Sequence, residues 1–307
     1  MKTLKTPHFL IFILAVLASV LSGCIKNELD TTASEASSIE QLVKDELSMD
    51  AAVDDTWDAM NLILDNGGYK SVNALPCNTT DSVTLVGDTL FHNITFSGNN
   101  CNGTYMRTGK MVIKQANGQK WSEPGNKVVM ILNNYNMTRL STGESVILNG
   151  KIIYENTLGG RLSELGNGVG KVIQKGIGSI AITFSNNQTQ KWEMSRQRVF
   201  TGAMGNMIIN ATGIGAYGGI NYLVYWGNGR AGTPFLGQIN DAVIYKEACT
   251  GYACSGTMML QLSGTRNNMI TYGFNDNNQP VASSECPTKV KFEIQTTTYT
   301  STLFIKL

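Results

Sequence analysis

Histidine is the residue that most restricts the catalytic chemistry open to this chain. Only two are present, His8 and His92, and His8 lies in an N-terminal segment that we interpret below as removed. A Ser-His-Asp or Cys-His mechanism would therefore have to use His92, and zinc sites rich in histidine are excluded. His92 shares a predicted strand face with Leu90, Ile94 and Phe96. We interpret it as a core histidine with a hydrogen-bond partner and assign no catalytic residue.

Paired carboxylates would support glycoside hydrolysis, in which retaining enzymes hold the two groups about 5 Å apart. The part of the chain after residue 66 has few acidic residues, and no two of them form a recognisable pair. Because spacing alone does not place two carboxylates together, a carboxylate-dependent glycoside hydrolase is kept only as the second alternative function.

A literal Gly-x-Gly-x-x-Gly motif occurs at Gly213, Gly215 and Gly218. A dinucleotide site needs a helix directly after this motif, with its N-terminus facing the pyrophosphate. Here the strand-like residues 220–226 follow instead. We interpret the glycines as part of a β-turn and expect no cofactor.

Two further groups of residues offer binding chemistry. Residues 275–278, Asn-Asp-Asn-Asn, could supply oxygen ligands to calcium, but a single carboxylate favours a hairpin turn, so no metal is expected. Aromatic residues in the predicted strands could stack on sugars, although such residues more often form core or cross-strand pairs. A glycan-binding surface module is therefore the first alternative function. The aromatic candidates are Trp121, Trp192, Trp226, Tyr222 and Tyr225.

The N-terminus carries the strongest chemical signal. Two lysines precede an apolar stretch over residues 9–21, which has signal-peptide length and is too short to span a bilayer core of about 30 Å comfortably. The following Leu21-Ser22-Gly23-Cys24 resembles the lipobox of bacterial lipoproteins. We therefore predict a signal peptide over residues 1–23 and lipidation of Cys24, whose acyl chains would tether the mature N-terminus to a membrane.

Charge is unevenly distributed along the chain. The 307 residues have a formal net charge of +1, which gives no indication of nucleic-acid binding. Acidic residues far outnumber basic ones from Lys26 to Asp65, and basic residues are in excess after that. An acidic N-terminal segment thus precedes a mildly basic body.

Export would permit disulfides between the cysteines other than Cys24. Cys77 and Cys101 flank the first predicted hairpin, and Cys254 and Cys286 flank the last in a similar arrangement. We therefore predict the disulfides Cys77–Cys101 and Cys254–Cys286, with Cys249 as the fallback partner. An odd set leaves one thiol unpaired or paired between chains.

Hydrophobic periodicity divides the mature chain into three parts. Residues 24–37 are small and polar and are predicted to be a flexible tether. Residues 38–66 have apolar positions at three- and four-residue steps and are predicted to be an acidic amphipathic helix, with an alternative break near Met49. The apolar stripe, which includes Trp57, Met60 and Leu64, should dock on the body, and the acidic face should point to solvent or meet basic residues at the sheet rim.

Alternating patterns separated by Gly, Asn, Pro and Ser turns fill residues 67–307. The predicted fold is mainly β: an antiparallel sheet or sandwich of many strands with one N-terminal amphipathic helix. Arg196 and Arg198 share a strand face with Trp192, which we interpret as a solvated or acid-paired face. The candidate strands are 89–96, 104–114, 127–140, 145–155, 177–184, 190–200, 204–211, 221–226, 238–246, 256–262, 269–274, 289–295 and 299–305.

The layout as a whole resembles a group of uncharacterised Bacteroidota lipoproteins that have a lipobox, an Asp-rich helix and Gly- and Asn-rich strands. The residues that carry this resemblance are 50–63, 77–114, 196–198 and 254–257. Where such proteins often have Gly-x-Gly-Cys-Asp near the end, this chain has Ser284-Glu285-Cys286-Pro287. The group has no established activity to transfer.

We expect a lipid-anchored outer-membrane lipoprotein with a structural or interaction role and no catalysis, on either the cell surface or the periplasmic face. Its partners would be the membrane, through the lipid, and an envelope protein or glycan, but no nucleic acid. Sites that fit O-linked glycosylation of the Bacteroidota kind, Asp followed by Ser or Thr, are Thr31, Ser82 and Thr89.

Overall fold

The computed structural model describes residues 8–65, 75–230, 232–249, 252–262, 266–295 and 300–307, with residues 8–36 described by their backbone alone. It consists mainly of β-strands, which form one antiparallel sheet, together with one α-helix in this part of the chain. The predicted mainly-β class is confirmed, and the arrangement is a single sheet. The chain divides into two units, residues 1–42 and residues 43–307. The description below concerns the second unit except where the whole helix is named.

The helix α1 runs from His8 to Asp65, so it starts well before the predicted position at Ser38. The backbone of residues 24–37 is helical where we predicted a flexible tether, and no break occurs near Met49. The physical reason is that no glycine or proline interrupts the chain between Cys24 and Asp65, so no residue forbids helical hydrogen bonding. The predicted stop signal at residues 66–68 lies outside the described residues.

Fifteen strands follow the helix in the residues that the structure describes. Most of them lie where they were predicted, including β1, which is the first strand of the hairpin predicted after Cys77, whereas the short β9 was not among the candidate strands. Their bounds are β1 Thr79–Val86, β2 Thr89–Asn99, β3 Tyr105–Ala116, β4 Asn126–Arg139, β5 Ser145–Asn156, β6 Lys171–Phe184, β7 Thr189–Thr201, β8 Ile208–Gly213, β9 Gly215–Tyr217, β10 Ile220–Asn228, β11 Pro234–Lys246, β12 Ala253–Leu262, β13 Arg266–Phe274, β14 Lys289–Gln295 and β15 Thr300–Lys306.

The sheet is a meander except around β7. Strands β1 to β7 pair in sequence order, and so do β10 to β15. Between β7 and β11 the sheet is completed by two strands, because β10 pairs with one end of β7 and β8 pairs with the other. The short β9 pairs with β10 alone. The strands β8 and β10 together therefore bridge β7 to β11, so the sheet continues from one to the other.

The part of α1 from Val43 to Asp65 packs on the inner face of this sheet. Trp57, Met60 and Leu64 are buried, which confirms the predicted docking of the apolar stripe. Side chains from β3, β4, β5, β6, β7, β10 and β11 all reach this part of the helix. The sheet therefore curves around the helix. Burial of each large apolar side chain contributes about 1.5–3 kcal/mol.

One bulge in the sheet depends on glycine. The register between β3 and β4 shifts between Thr108 and Lys110, and the intervening Gly109 has a φ of +98°. A Cβ at this position would lie 2.0 Å from the carbonyl oxygen of Asn134. Bulges bend a strand and increase its twist, so Gly109 permits the curvature that brings both strands against the helix.

The cysteines confirm one predicted disulfide and correct the other. Cys77 bonds to Cys101 as predicted. Cys286 bonds to Cys249, the fallback partner, and the predicted Cys254–Cys286 bond is wrong. Cys254 is a buried free thiol in β12, where its Sγ atom contacts the carbonyl oxygen of Tyr252. The predicted pairing fails because Cys254 lies inside the buried strand β12. Cys249, which bonds to Cys286, lies in the short 3-10 helix Glu247–Cys249 that precedes β12.

Candidate functional site

The densest group of charged side chains lies between α1 and the inner face of the sheet. Glu46, Asp50, Asp54 and Asp58 follow one another at four-residue steps, which places them along one face of the helix. Arg196 and Arg198 are two residues apart in β7, so they point to the same face of the sheet. The structure brings this acidic stripe against these two arginines.

The arginine–aspartate cluster consists of Asp50, Asp54, Arg196 and Arg198. Arg196 donates to Asp50 over 2.5 Å and also to Asp54, and Arg198 donates to Asp54 as well. Both arginine side chains are 2% exposed. The sequence interpretation of an acid-paired face is confirmed, but the expectation that the acidic face meets solvent or the sheet rim is wrong for Asp50 and Asp54.

Two tyrosines complete the surroundings of Asp50. Tyr245 in β11 donates its hydroxyl to Oδ2 over 2.9 Å, and Tyr225 in β10 donates to Oδ1. Burial alone would raise the pKa of Asp50, but Arg196, the two tyrosine hydroxyls and Arg198 hold it below its ordinary value. Burial also opposes the charge of Arg196, yet Asp50 and Asp54 hold its pKa above the ordinary range. Asp50 and Arg196 are therefore both ionised at neutral pH.

The indole of Trp57 lies against the two arginines. The guanidinium carbons of Arg198 and Arg196 lie 4.5 and 5.5 Å from the ring centre, within the range of cation–π attraction. The ring also packs on Tyr154 of β5, with 4.6 Å between the centroids. This stack fills the inner side of the cluster with aromatic surface and keeps water away from it.

A closed amide network adjoins the cluster. Asn61 of α1 and Gln174 of β6 exchange hydrogen bonds of 3.0 and 2.8 Å through their side-chain amides. The indole of Trp57 donates to Gln174 over 2.7 Å, and that of Trp121 donates to Asn61 over 3.1 Å. All four side chains are buried. Because every side-chain nitrogen and oxygen atom in this group takes part in a hydrogen bond, the network fixes the rotation of the helix on the sheet.

Two further ion pairs bind other turns of the helix. Arg107 of β3 lies 3.0 Å from Asp55, which also accepts a hydrogen bond of 2.6 Å from Tyr135. Arg230, after β10, binds Asp45 through two nitrogens at 2.8 and 2.7 Å. Each of these acidic residues therefore has its own basic partner on a different strand or turn.

Several carboxyl groups of the helix have perturbed pKa values. Burial, followed by the charge of Asp50, raises the pKa of Glu46 well above its ordinary value. Burial raises the pKa of Asp65 to about 6, against the hydrogen bond of 2.8 Å that its Oδ2 accepts from the backbone of Leu162. Burial is the main cause that would raise the pKa of Asp58, but its side chain is 64% exposed, so water weakens this effect.

His92 lies in the core, as the sequence predicts. It is fully buried in β2, and its Nδ1 atom lies 2.9 Å from Oδ2 of Asp81 in β1. Its Nε2 atom has no hydrogen-bond partner in the described part of the chain, so no serine or cysteine is in place to be activated. The pair is an aspartate–histidine contact without a nucleophile.

The possible calcium loop holds a lysine. The ammonium of Lys289 lies 2.8 Å from the carbonyl oxygen of Asp276 and 2.9 Å from the side-chain oxygen of Asn278. Asn275 accepts backbone hydrogen bonds from Asn277 and Gln279, as in a tight turn. The turn interpretation is confirmed. Among the described residues, no group of three or more His, Cys, Asp or Glu is placed to hold a metal ion.

The glycine motif is also a turn. Gly213 ends β8, Gly215 begins β9, and Gly218 lies in the turn before β10. Gly218 has a φ of +59°, a left-handed conformation that glycine adopts without a steric penalty. The interpretation as a β-turn is confirmed for Gly218, whereas Gly213 and Gly215 lie in strands.

The aromatic candidates fall into two groups. Trp121, Trp192 and Tyr225 are buried and belong to the core. Trp226 is half-buried on the outer face of the sheet, where its ring stacks on Tyr217, and Tyr222 of the same hairpin is exposed. Sequence reasoning did not include Tyr217, because it lies in the three-residue strand β9 that the alternation does not reveal.

The structure places the predicted modification sites as follows. Ser82 of β1 is exposed, and Thr89 at the start of β2 is half-buried. Ser82 also lines a groove of about 270 Å³ together with Asp81 and Lys110. The side chains of Cys24 and Thr31 lie outside the described residues.

The arrangement binds the helix to the sheet through ion pairs and hydrogen bonds. Asp50 and Asp54 are two carboxylates close together, but both bind arginine. No helix in the described part of the chain is long and apolar enough to cross a membrane. Comparison of the chain with protein-family models, with curated proteins and with solved structures found no match.

Proposed function

We propose that this protein is a lipid-anchored lipoprotein of the outer membrane with a structural or interaction role and no catalysis. Cys24 would carry the lipid, and the sheet would be the part that meets other envelope components. The resemblance to Bacteroidota lipoproteins, in residues 21–24, 50–63 and 196–198, points in the same direction.

One observation carries the proposal: the polar residues that gather most densely are used to hold α1 in the sheet. Arg196 and Arg198 are buried, and their carboxylate partners are Asp50, Asp54 and Asp58 of the helix. A helix that follows an N-terminal lipid and is firmly bound to the sheet would hold the whole β domain at the membrane. An enzyme would instead be expected to leave such groups facing a cleft.

The anchor is tested by replacing the proposed lipid attachment residue, Cys24→Ala, and fractionating cells. We expect the wild-type protein in the membrane fraction and in the detergent phase of a phase-separation assay, and the variant in neither. Cys254→Ala serves as the matched control, because it also removes a thiol outside both disulfides. An unchanged membrane fraction for the Cys24 variant would reject the proposal.

Orientation and modification are tested separately. Protease treatment of intact cells would digest a protein on the cell surface and spare one on the periplasmic face. The intact mass of the mature protein reports glycosylation at Thr31, Ser82 and Thr89. An unmodified mass would reject glycosylation and leave the anchor proposal unaffected.

A further inference from the structure

The outer face of the sheet has a pair of aromatic rings that takes no part in holding the helix. The rings of Tyr217 in β9 and Trp226 in β10 are nearly parallel, with an interplanar angle of 19° and 6.4 Å between centroids. Tyr217 is 59% exposed. Trp226 points outward because its neighbour Tyr225 points inward to Asp50. We call Tyr217 and Trp226 the aromatic platform.

The backbone beneath the platform fixes its shape. Gly215 lies under the ring of Trp226, and a Cβ there would come within 2.7 Å of the Cζ3 atom and within 3.0 Å of the Cβ atom of Ser195. Any side chain at this position would therefore lift the indole from its seat. Because the ring already lies in its place on rigid strands, binding on it would cost little conformational entropy.

The polar residues beside the platform cancel each other's charge. Glu193 of β7 is the direct cross-strand partner of Trp226, so both side chains are on the outer face. The ammonium of Lys191 lies 3.1 Å from Oε1 of Glu193. An anion or a cation would have to disrupt this pair to gain a partner, whereas an uncharged polar ligand would hydrogen-bond to it as it stands.

We propose that the aromatic platform binds an uncharged saccharide unit of an envelope or environmental polysaccharide. The C–H face of a pyranose ring is apolar and stacks on the face of an aromatic ring, while the hydroxyl groups at its edge would reach the Glu193–Lys191 pair. Two rings present far less area than the roughly 1,000 Å² that a specific protein interface needs. The inference rests on the proposed interaction role, for which it names the class of partner.

Affinity electrophoresis of the full chain, purified in detergent, tests the inference. The native gels would contain soluble xylan, galactomannan or mixed-linkage β-glucan, with alginate as the charged comparison. We expect retardation by at least one neutral polysaccharide, and a weakening of about tenfold in Tyr217→Ala and in Trp226→Ala. Leu85→Ala is the matched control, because Leu85 is an exposed apolar residue on the distant strand β1.

Tryptophan fluorescence provides a second readout. Trp226 is the half-buried member of the four tryptophans, and the other three are buried, so acrylamide should quench mainly Trp226. The bound polysaccharide should protect it, and Trp226→Phe should remove that protection while retaining a ring for stacking. The inference is overturned if no neutral polysaccharide retards the protein, if alginate alone does so, or if Leu85→Ala weakens binding as much as Tyr217→Ala. Since this assay needs no lipid, its failure would leave the Cys24 proposal standing.

Discussion

The Nη1 atom of Arg196 in β7 lies 2.5 Å from Oδ1 of Asp50 in α1, although the two residues are 146 positions apart in the chain. Arg196 also binds Asp54, so a single guanidinium bridges two carboxylates, and Arg198 supplies the second positive charge. A lysine has one ammonium and cannot reproduce this fork. The contact therefore ties the N-terminal helix to the centre of the sheet.

Replacement of Arg196 by methionine should destabilise the protein strongly. Asp50 and Asp54 would keep only Arg198 and the tyrosine hydroxyls as partners, and leaving buried charges uncompensated costs about 3–5 kcal/mol. The measurement is the free energy of unfolding from a urea titration. Asp58→Asn is the control, since Asp58 is largely exposed and its pair with Arg198 should contribute about 0–1 kcal/mol. Equal losses in the two variants would contradict the prediction.

Replacement of Trp57 by alanine should cost about 3–5 kcal/mol, because it removes a fully buried ring and leaves a cavity. It also removes the donor of the 2.7 Å hydrogen bond to Gln174. Trp57→Phe separates these effects, since it retains most of the packing and should lose only about 1–2 kcal/mol. A urea titration in which Trp57→Ala loses almost nothing would show that the helix is not docked in solution.

Asp65 should make stability fall as the pH rises. Its pKa is raised from 3.8 to about 6 in the folded protein, so the folded state holds the proton more tightly than the unfolded state. Its stabilising contribution is then fully present below the unfolded pKa and is lost as the pH rises through the folded pKa. Asp65→Asn keeps an oxygen for the Leu162 amide and cannot titrate.

Unfolding titrations of wild type and Asp65→Asn at a series of pH values between about 4 and 7 measure this effect. The difference in unfolding free energy, wild type minus variant, should decrease over that range and become constant above it. A difference that does not change with pH would mean that Asp65 has an ordinary pKa in the folded state.

A peptide map without reduction should show two bonds, Cys77–Cys101 and Cys249–Cys286. Cys254 should react with an alkylating reagent slowly in the folded protein and rapidly after denaturation, because it is buried. Each disulfide closes a loop, for which chain entropy predicts a stabilisation of about 3 kcal/mol. Recovery of a Cys254–Cys286 peptide would contradict this assignment.

More of the fold than of the arginine–aspartate cluster could be predicted from the sequence. Alternation of apolar residues predicts strands directly, and the recurrence of Trp57, Met60 and Leu64 on one helical face predicts docking, because both patterns depend on local geometry. The same reasoning failed for Asp50 and Asp54, since an amphipathic pattern assumes that the charged face meets water. Here the sheet also reaches Asp50 and Asp54, while Asp58 stays largely exposed, and that depends on how far the sheet curves.

A signal for the buried cluster was nevertheless present in β7. Arg196 and Arg198 have the same parity as Trp192, which is buried, so all three point inward. Acidic residues at four-residue steps from Glu46 to Asp58 have the charge opposite to that of these arginines. No local rule says which of the basic residues meets which acid, because the partners are brought together only by the complete sheet.

The long separation of these partners has a consequence for the order of folding. Most strands pair with the next one in the chain, so hairpins should form rapidly and locally, whereas Asp50 must wait for Tyr245, 195 positions later. Most of the strands therefore have to be synthesised after the helix before its binding site is complete. Until then its acidic stripe would repel other copies of the same segment, which would disfavour aggregation of the incompletely folded chain.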